Sequence, residues 1–389
     1  MNDASKLITT TDELERALSI LCEFNVIAID TEFIRVSTYY PKLCLIQLAA
    51  GDNYFAVDPL PDTIDLTALF QMLTNKDILK VFHAGRQDIE IFVHLTGSIP
   101  DPIFDTQIAA MVIGLGDQAG YDKLVQHYFN IELDKTSRFT DWSVRPLSDR
   151  QLKYALDDVI YLAKIYPIIH DELYRSNRLD WLDDDISALT QMSLYKPNPV
   201  DAWKKLKVRS HKPDFLNRLK FLASWREQRA ISKNMPKNRI IRDETLIDIA
   251  GTNPKNTAKF ESIRGFPGGS SGKLVPEILK TLADAEKSPR ESWPKMKNDY
   301  RRDKAPAAIL ELLRVLLKHI TEAENIAPKL LASAEELEAL ARDDNADIKL
   351  LKGWRRDLFG IIALQLKSGE IALTIRNNKI ELIYPERNQ

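Results

Sequence analysis

Short apolar runs alternate with amphipathic segments through the first 170 residues. Val26–Ile29, Cys44–Ala49, Tyr54–Val57 and Ile78–Phe82 have the length and composition of strands. Apolar positions recur at helical spacing near 12–22, 64–74, 86–95, 105–113, 120–129 and 148–168. Gly51-Asp52-Asn53 separates the second run from the third and is a hairpin signal. A meander of three strands followed by helix–strand alternation predicts a mixed α/β sheet and argues against a doubly wound parallel one.

Lys196-Pro197-Asn198-Pro199 interrupts the pattern and reads as a linker. Helical spacing dominates beyond it, at Phe215–Ser232, Glu244–Gly251, Thr257–Ile263 and, after a Gly-Phe-Pro-Gly-Gly turn, Val275–Ala285. Ser288-Pro289 to Trp293-Pro294 marks a second break. Helices are predicted after it at Ala307–Glu322, Ala334–Arg342 and Gly353–Ser368. Ile371–Arg376 and Lys379–Ile383, around Asn377-Asn378, predict a terminal hairpin. The two helical blocks share an order of long helix, short helices, basic turn and helix, the mark of a diverged repeat.

The 389 residues are 44% hydrophobic and 28% charged, with a mean hydropathy of -0.27. This describes a soluble protein of two or three domains. No apolar run approaches the ~20 residues of a spanning helix, and MNDASKLITT lacks the basic start and apolar core of a signal peptide. Two cysteines, Cys22 and Cys44, are too few for a disulfide framework or a four-ligand zinc site and are expected to be reduced core thiols. A cytoplasmic protein is expected, with no membrane association and no obligatory protein partner. The net charge of -2 conceals an imbalance. Residues 1–200 hold 30 acidic against 17 basic residues, a net of -13, while 201–389 hold 26 against 37, a net of +11. That division suits cation binding in the first half and polyanion binding in the second.

Three acidic motifs lie in the first half. Asp30 and Glu32 close the first apolar run two residues apart, so a strand turns both to one face; taken alone, they read as solvated acids at a strand end, where acids are common. His83-Ala84-Gly85 leads from the last strand to Asp88 in the first turn of a helix, where an acid is favourable without any function and a histidine is commonly a packed one. Tyr154 and Asp158 share a helical face one turn apart, Asp157 points away as a surface acid, and Ser148 with Gln151 forms a capping box. Together, four carboxylates on one cleft would repel and raise one another's pKa unless cations neutralised them. All-oxygen donors favour Mg²⁺ or Mn²⁺, and two such ions ~3.5–4 Å apart suit in-line phosphodiester hydrolysis. A phenol titrating near ~10 is a poor general base, so Tyr154 is expected to orient the attacking water.

These motifs resemble those of the DEDD exonuclease superfamily, and the tyrosine four residues before the last aspartate resembles its DEDDy branch. Thr140-Asp141-Trp142-Ser143-Val144-Arg145-Pro146-Leu147, continuing to Gln151 and Tyr154, is similar to the bacterial ribonuclease D signature, and Gln47 and Asp134-Lys135 stand where that family would place them. The resemblance implies an RNase H-like exonuclease domain over 1–195, a mixed sheet with flanking helices. It implies Asp30, Glu32, Asp88 and Asp158 as metal ligands, and 3′→5′ hydrolysis that releases nucleoside 5′-monophosphates. Residues 211–290 resemble the HRDC domain through Leu219–Trp225-Arg226, Pro236, Ile240–Leu246 and Ile263-Arg264-Gly265-Phe266. In that family two such all-α domains follow the nuclease. Their expected limits are 210–292 and 299–389, the second diverged, with Trp354-Arg355-Arg356 at the corresponding turn and the hairpin as an addition.

A basic cluster of Lys204, Lys205, Lys207, Arg209, Lys212, Arg226, Arg229, Lys233, Lys237, Arg239 and Arg242 is expected to bind phosphates without reading bases. Arg138 and Arg145 are candidates to hold phosphate near the metals, Phe33 to stack on or wedge against a terminal base, and Trp142 is equally suited to the core. The expected partner is RNA, with the 3′ ends of tRNA precursors implied by the family. The competing expectations are a DNA exonuclease of the same carboxylate type and a non-catalytic RNA-binding protein.

Overall fold

The structure is a computed structural model describing residues 6–208, 210–294 and 305–384. Arg209 of the basic cluster lies outside the described residues, as do 1–5, 299–304 and 385–389 at the ends of the expected domains.

Six strands form one mixed sheet. They are β1 (Leu7–Ile8), β2 (Val26–Ile34), β3 (Lys42–Ala50), β4 (Asn53–Val57), β5 (Leu79–Phe82) and β6 (Ile103–Asp105), in the order β1-β4-β3-β2-β5-β6. The β2-β3-β4 meander is antiparallel, while β5 and β6 extend it in parallel on one side and β1 on the other. β1 and β6, two and three residues long, are too short to leave a periodic signal. β2 runs to Ile34, past the predicted end at Ile29, because the ladder with β3 holds Asp30 against Gln47 and Glu32 against Leu45 before a bulge between Glu32 and Phe33. Asp30 and Glu32 therefore sit inside a strand.

The sheet buries two faces. Ile27, Ile29, Ile46 and Leu48 pack with helices α1 (Thr11–Leu21), α2 (Thr67–Thr74) and α3 (Arg86–Thr96). Ala28, Ala49 and Val81 meet the layer containing α4 (Thr106–Val112), α5 (Tyr121–Phe129) and α6 (Asp149–Arg175). Ser148 and Gln151 form the predicted capping box of α6, and the stripe Leu152, Ala155, Leu156, Val159, Leu162, Ile165, Ile169 and Leu173 is buried. Pro167 sits inside this helix. It removes one backbone donor, yet packing of Ile165, Ile169 and Leu173 carries the helix seven residues beyond its predicted end at 168. Cys44 is buried, but Cys22 follows α1 on the surface and is exposed, so it is not a core thiol.

Helices α7 (Asp183–Leu189) and α8 (Met192–Tyr195) lead into two helical units, each with its own core. The first contains α9 (Pro213–Ser232), α10 (Lys237–Ile240), α11 (Asp243–Thr252) and α12 (Val275–Lys287) around Leu216, Leu219, Leu222, Phe260 and Ile278. Thr257–Ser262, expected as an α-helix, is a 3₁₀ helix. The second contains α13 (Ala307–Glu324), α14 (Pro328–Leu331), α15 (Ala334–Arg342), α16 (Gly353–Arg355) and α17 (Ile361–Ser368) around Leu313, Leu316, Leu340 and Phe359. The single helix expected over Gly353–Ser368 is divided by a π-helical turn at Arg356–Gly360. A hairpin of β7 (Ala372–Arg376) and β8 (Lys379–Ile383) follows, with Asn377 and Asn378 both at positive φ, as a tight two-residue turn requires.

Both units dock on the nuclease fold. Asn234 accepts from the backbone N–H groups of Tyr39 and Tyr40, and the Tyr39 hydroxyl bonds to Glu227. Trp354 of the second unit stacks on Trp181 at 4.2 Å, and Arg355 pairs with Asp184 and Asp185. Arg355 is buried, so the Trp354-Arg355-Arg356 turn is anchored on the nuclease through its middle residue. Among the described residues no helix is long and apolar enough to cross a membrane.

Candidate active site

Strand alternation sends Asp30 and Glu32 toward the α6 layer and Thr31 toward α3. One helical turn of α6 brings Tyr154 and Asp158 to the same place. Asp30, Glu32 and Asp158 each present an oxygen, and these oxygens lie within 4.8 Å of one another. Asp88 approaches from the other layer, in the first turn of α3. Its Oδ1 accepts the Thr31 hydroxyl, so it flanks the three-acid cluster without belonging to it.

The turn that delivers Asp88 is tightly determined. Ala84 has a positive φ of 55°, and a Cβ on Gly85 would lie 2.4 Å from Cβ of Phe82, so only glycine fits there. Asp105 fixes the turn from below: its carboxylate accepts from the backbone N–H groups of Ala84 and Gly85 and also caps α4 through Gln107 and Ile108. Sequence reasoning missed Asp105. Its position ahead of Thr106 at a helix start was a usable N-cap signal. His83 is held between the Thr106 hydroxyl and the Ala119 carbonyl, and burial lowers its pKa. It is a packed histidine.

Burial and mutual repulsion dominate the electrostatics. Asp30 is driven well up by burial, then by Asp88, Asp158 and Glu32. Glu32 rises to about 9 through burial and the charges of Asp158 and Asp88. Asp158 rises to about 7 through burial and Asp157, moderated by a hydrogen bond from Tyr154. Asp88 rises to about 6 through burial, with the Thr31 hydrogen bond working in the opposite direction. The Tyr154 phenol is pushed far above its ordinary value by burial and by Asp158, Glu32 and Asp30, so it stays protonated. Such a group of ionisable oxygens holds protons or accepts a hard cation in their place. The donor set fits a divalent metal.

The other predicted residues divide. Arg138 is exposed, and its positive charge reaches Glu32, Tyr154 and Asp158. Phe33 is half-buried, packed against the α1–α3 core just past the bulge. Trp142 is buried in the layer with Leu45, Ala56 and Leu156. Arg145 does not reach for phosphate. Its five N–H donors go to Asp58 twice and to the carbonyls of Trp142, Val144 and Cys44, which leaves none for a ligand. Arg226 of the basic cluster is likewise withdrawn, buried against Asp243 and the Ile241 carbonyl. Lys204, Arg229 and Lys237 pair with Asp201, Glu277 and Glu227, while Lys205, Lys207, Lys212, Lys233, Arg239 and Arg242 are exposed.

Comparison with known proteins agrees with this geometry. The 3′-5′ exonuclease family matches residues 6–174, and the HRDC domain matches 215–282. The chain is 42% identical to ribonuclease D of Nitrobacter hamburgensis over 96% of its length and 98% of that protein. It is 41% identical to ribonuclease D of Zymomonas mobilis, with 98% of each covered. The crystal structure of Escherichia coli RNase D, an exoribonuclease involved in structured RNA processing, superposes with a TM-score of 0.80 at 30% identity, over 93% of this chain and 98% of that one. The exonuclease fold is one that uses divalent metals, and the acidic cluster is in place for them. With an RNase H-like nuclease followed by an HRDC domain, the chain belongs to the ribonuclease D family and is a 3′→5′ exoribonuclease.

Proposed function

We propose that Asp30, Glu32, Asp88 and Asp158 hold two divalent cations, Mg²⁺ or Mn²⁺, and that the enzyme releases nucleoside 5′-monophosphates one at a time from RNA 3′ ends. The observation that carries this reading is the convergence of Asp30, Glu32 and Asp158 from two distant segments to within 4.8 Å. Like charges gathered in a half-buried place need compensation, and oxygen donors supply it with hard cations. When bound, the cations lower the pKa of water and offset charge building on the phosphate. Asp88 joins from across the strand, held in orientation by Thr31.

Tyr154 has a defined part in this scheme. Its hydroxyl donates to Asp158, which leaves the phenol oxygen free to accept a hydrogen bond from the attacking water and to aim it. A phenol held this far above neutrality does not act as the base. Arg138 meets the phosphate at the mouth of the site, and Phe33 wedges against the terminal base.

The proposed domain limits are 1–195, 210–292 and 299–389, with the third a diverged HRDC-like copy. A separate core and a similar order of helices support that view. The exposed cations of the first helical unit track the RNA backbone, while the second unit braces the nuclease through Arg355 and Trp354. The 3′ ends of tRNA precursors and other structured RNAs in the cytoplasm are the proposed substrates. The test is degradation of 5′-end-labelled tRNA precursor, unstructured RNA and a matched DNA strand, each with Mg²⁺ and with EDTA. Stepwise shortening of RNA, abolished by EDTA, is expected. Equal or faster loss of the DNA strand would overturn the RNA assignment.

A further inference from the structure

Gln47 stands directly across the β2–β3 ladder from Asp30. Opposed residues of an antiparallel pair share a face, with Cβ atoms ~4.5–5.5 Å apart, so Gln47 and Asp30 project from neighbouring strands to the same side of the sheet. Gln47 is fully buried, at 0% exposure. Neither its Oε1 nor its Nε2 has a hydrogen-bond partner among the described residues. Its neighbours along the strand, Leu45, Ile46, Leu48 and Ala49, are apolar and buried; a leucine would fit the pattern and would avoid stranding two polar atoms. A second orphan occurs in the same layer. The Trp142 indole, 2% exposed, packs with Leu45, Ala56 and Ala155, and its Nε1 is also without a partner. Buried polar groups are satisfied by protein, water or ligand. Three unsatisfied atoms in the layer beside three converging carboxylates mark a place where the remaining partner arrives with the bound species.

We propose that Gln47 is a positioning residue of the cation site. Nε2–H donates to the Asp30 carboxylate and fixes which oxygen it presents, while Oε1 accepts from a water in the cation's hydration shell. An amide suits this because it donates and accepts at once. A carboxylate there would lack the donor and would add a charge, and an aliphatic side chain would supply neither. Partners of this kind, one step behind the ligands, typically contribute ~10–100-fold to metal affinity. The proposal rests on reading Asp30 as a cation ligand.

The test uses the full-length chain without RNA. Mn²⁺ affinity is measured by titration calorimetry, and metal-free Tm by calorimetric unfolding, for wild type, Q47M, Q47L and D30N. Methionine nearly matches glutamine in length and volume and removes both polar atoms. Q47M is expected to bind Mn²⁺ ~10–100-fold more weakly while its metal-free Tm is unchanged or higher by a few degrees, since an unpartnered amide has been removed. Q47L serves in the same way should Q47M not fold. Affinity within twofold of wild type in a folded variant would overturn the proposal. Failure of both variants to fold would also overturn it, because an amide without internal partners is not required for folding. If D30N binds Mn²⁺ as wild type does, the cation-site reading itself fails. If D30N loses the ion and Q47M keeps it, only the role of Gln47 fails.

Discussion

The acids of the nuclease and the charges buried within the helical units obey opposite rules. Asp30, Glu32 and Asp158 are brought together like with like, and each is pushed upward by burial and by other acids nearby. In the helical units the buried charges are matched: Arg226 with Asp243, Glu227 with Lys237, and Arg355 with Asp184 and Asp185. Matched pairs offset their own desolvation and serve the fold. Unmatched like charges make the fold less stable and serve a ligand. The distinction also operates within the nuclease, where Arg145 and the buried Asp58 form a matched pair.

The contrast breaks most sharply at the cluster. Asp30→Ala and Asp158→Asn are expected to reduce hydrolysis by at least ~10³-fold, since cation stabilisation of the transition state amounts to several kcal/mol. RNA affinity, measured in EDTA, should stay within about threefold. Activity surviving both substitutions would remove the carboxylates from the chemistry. Arg145→Ala leaves Asp58 buried without its partner, and an expected loss of ~3–5 kcal/mol of stability in denaturant unfolding follows; a stable variant with weakened RNA binding would instead restore the phosphate-holding role. Tyr154→Phe is expected to lower kcat by ~10²-fold with Mn²⁺ affinity within twofold, and an unchanged kcat would eliminate the water-orienting role.

The pH dependence of stability sharpens the same comparison. Asp88, Asp158 and Glu32 release protons in the folded chain only near about 6, about 7 and about 9, whereas the unfolded chain releases them near ~4. At these acids the folded state therefore binds more protons between these limits, and their contribution to metal-free stability falls as pH climbs from ~4 to ~9, against a smaller opposite contribution from His83, whose pKa burial lowers. Cations replace those protons, so the gain in Tm from added Mn²⁺ should grow with pH. A metal-free Tm that rises over this range would contradict the assigned repulsion. The smallest effects belong to the exposed cations. Lys233→Ala and Arg239→Ala should each lower the salt slope of RNA binding by about one and alter stability by less than ~0.5 kcal/mol. Arg226→Ala, by contrast, should act on stability, because its guanidinium is buried against Asp243.

Much of this was legible along the chain because the signals were local. The apolar runs marked β2, β3, β4 and β5, and helical spacing marked α1 to α6 and the long helices α9 and α13. The close of β2 was hidden because Asp30, Thr31 and Glu32 read as the end of an apolar run, although the ladder to β3 continues through them. The candidate site residues were named from spacing and family resemblance, but the fate of each arginine was not in the spacing. Arg138 and Arg145 are equivalent in sequence terms, and the approach of Asp58, 87 positions away, together with three backbone carbonyls, distinguishes them. The unpartnered amide of Gln47 and the role of Asp105 were hidden for the same reason. Gln47 is a polar residue in a strand whose orphaned amide is visible only after packing, and Asp105 is an acid whose backbone partners come from two segments.

In the proposed mechanism the unmatched acids gather divalent cations at one place. Anomalous diffraction from crystals soaked in Mn²⁺ tests it most directly. A peak within ~2.0–2.3 Å of oxygens from Asp30, Glu32 and Asp158, lost in D158N, is expected; an active enzyme whose Mn²⁺ peak lies away from these three side chains would overturn the assignment.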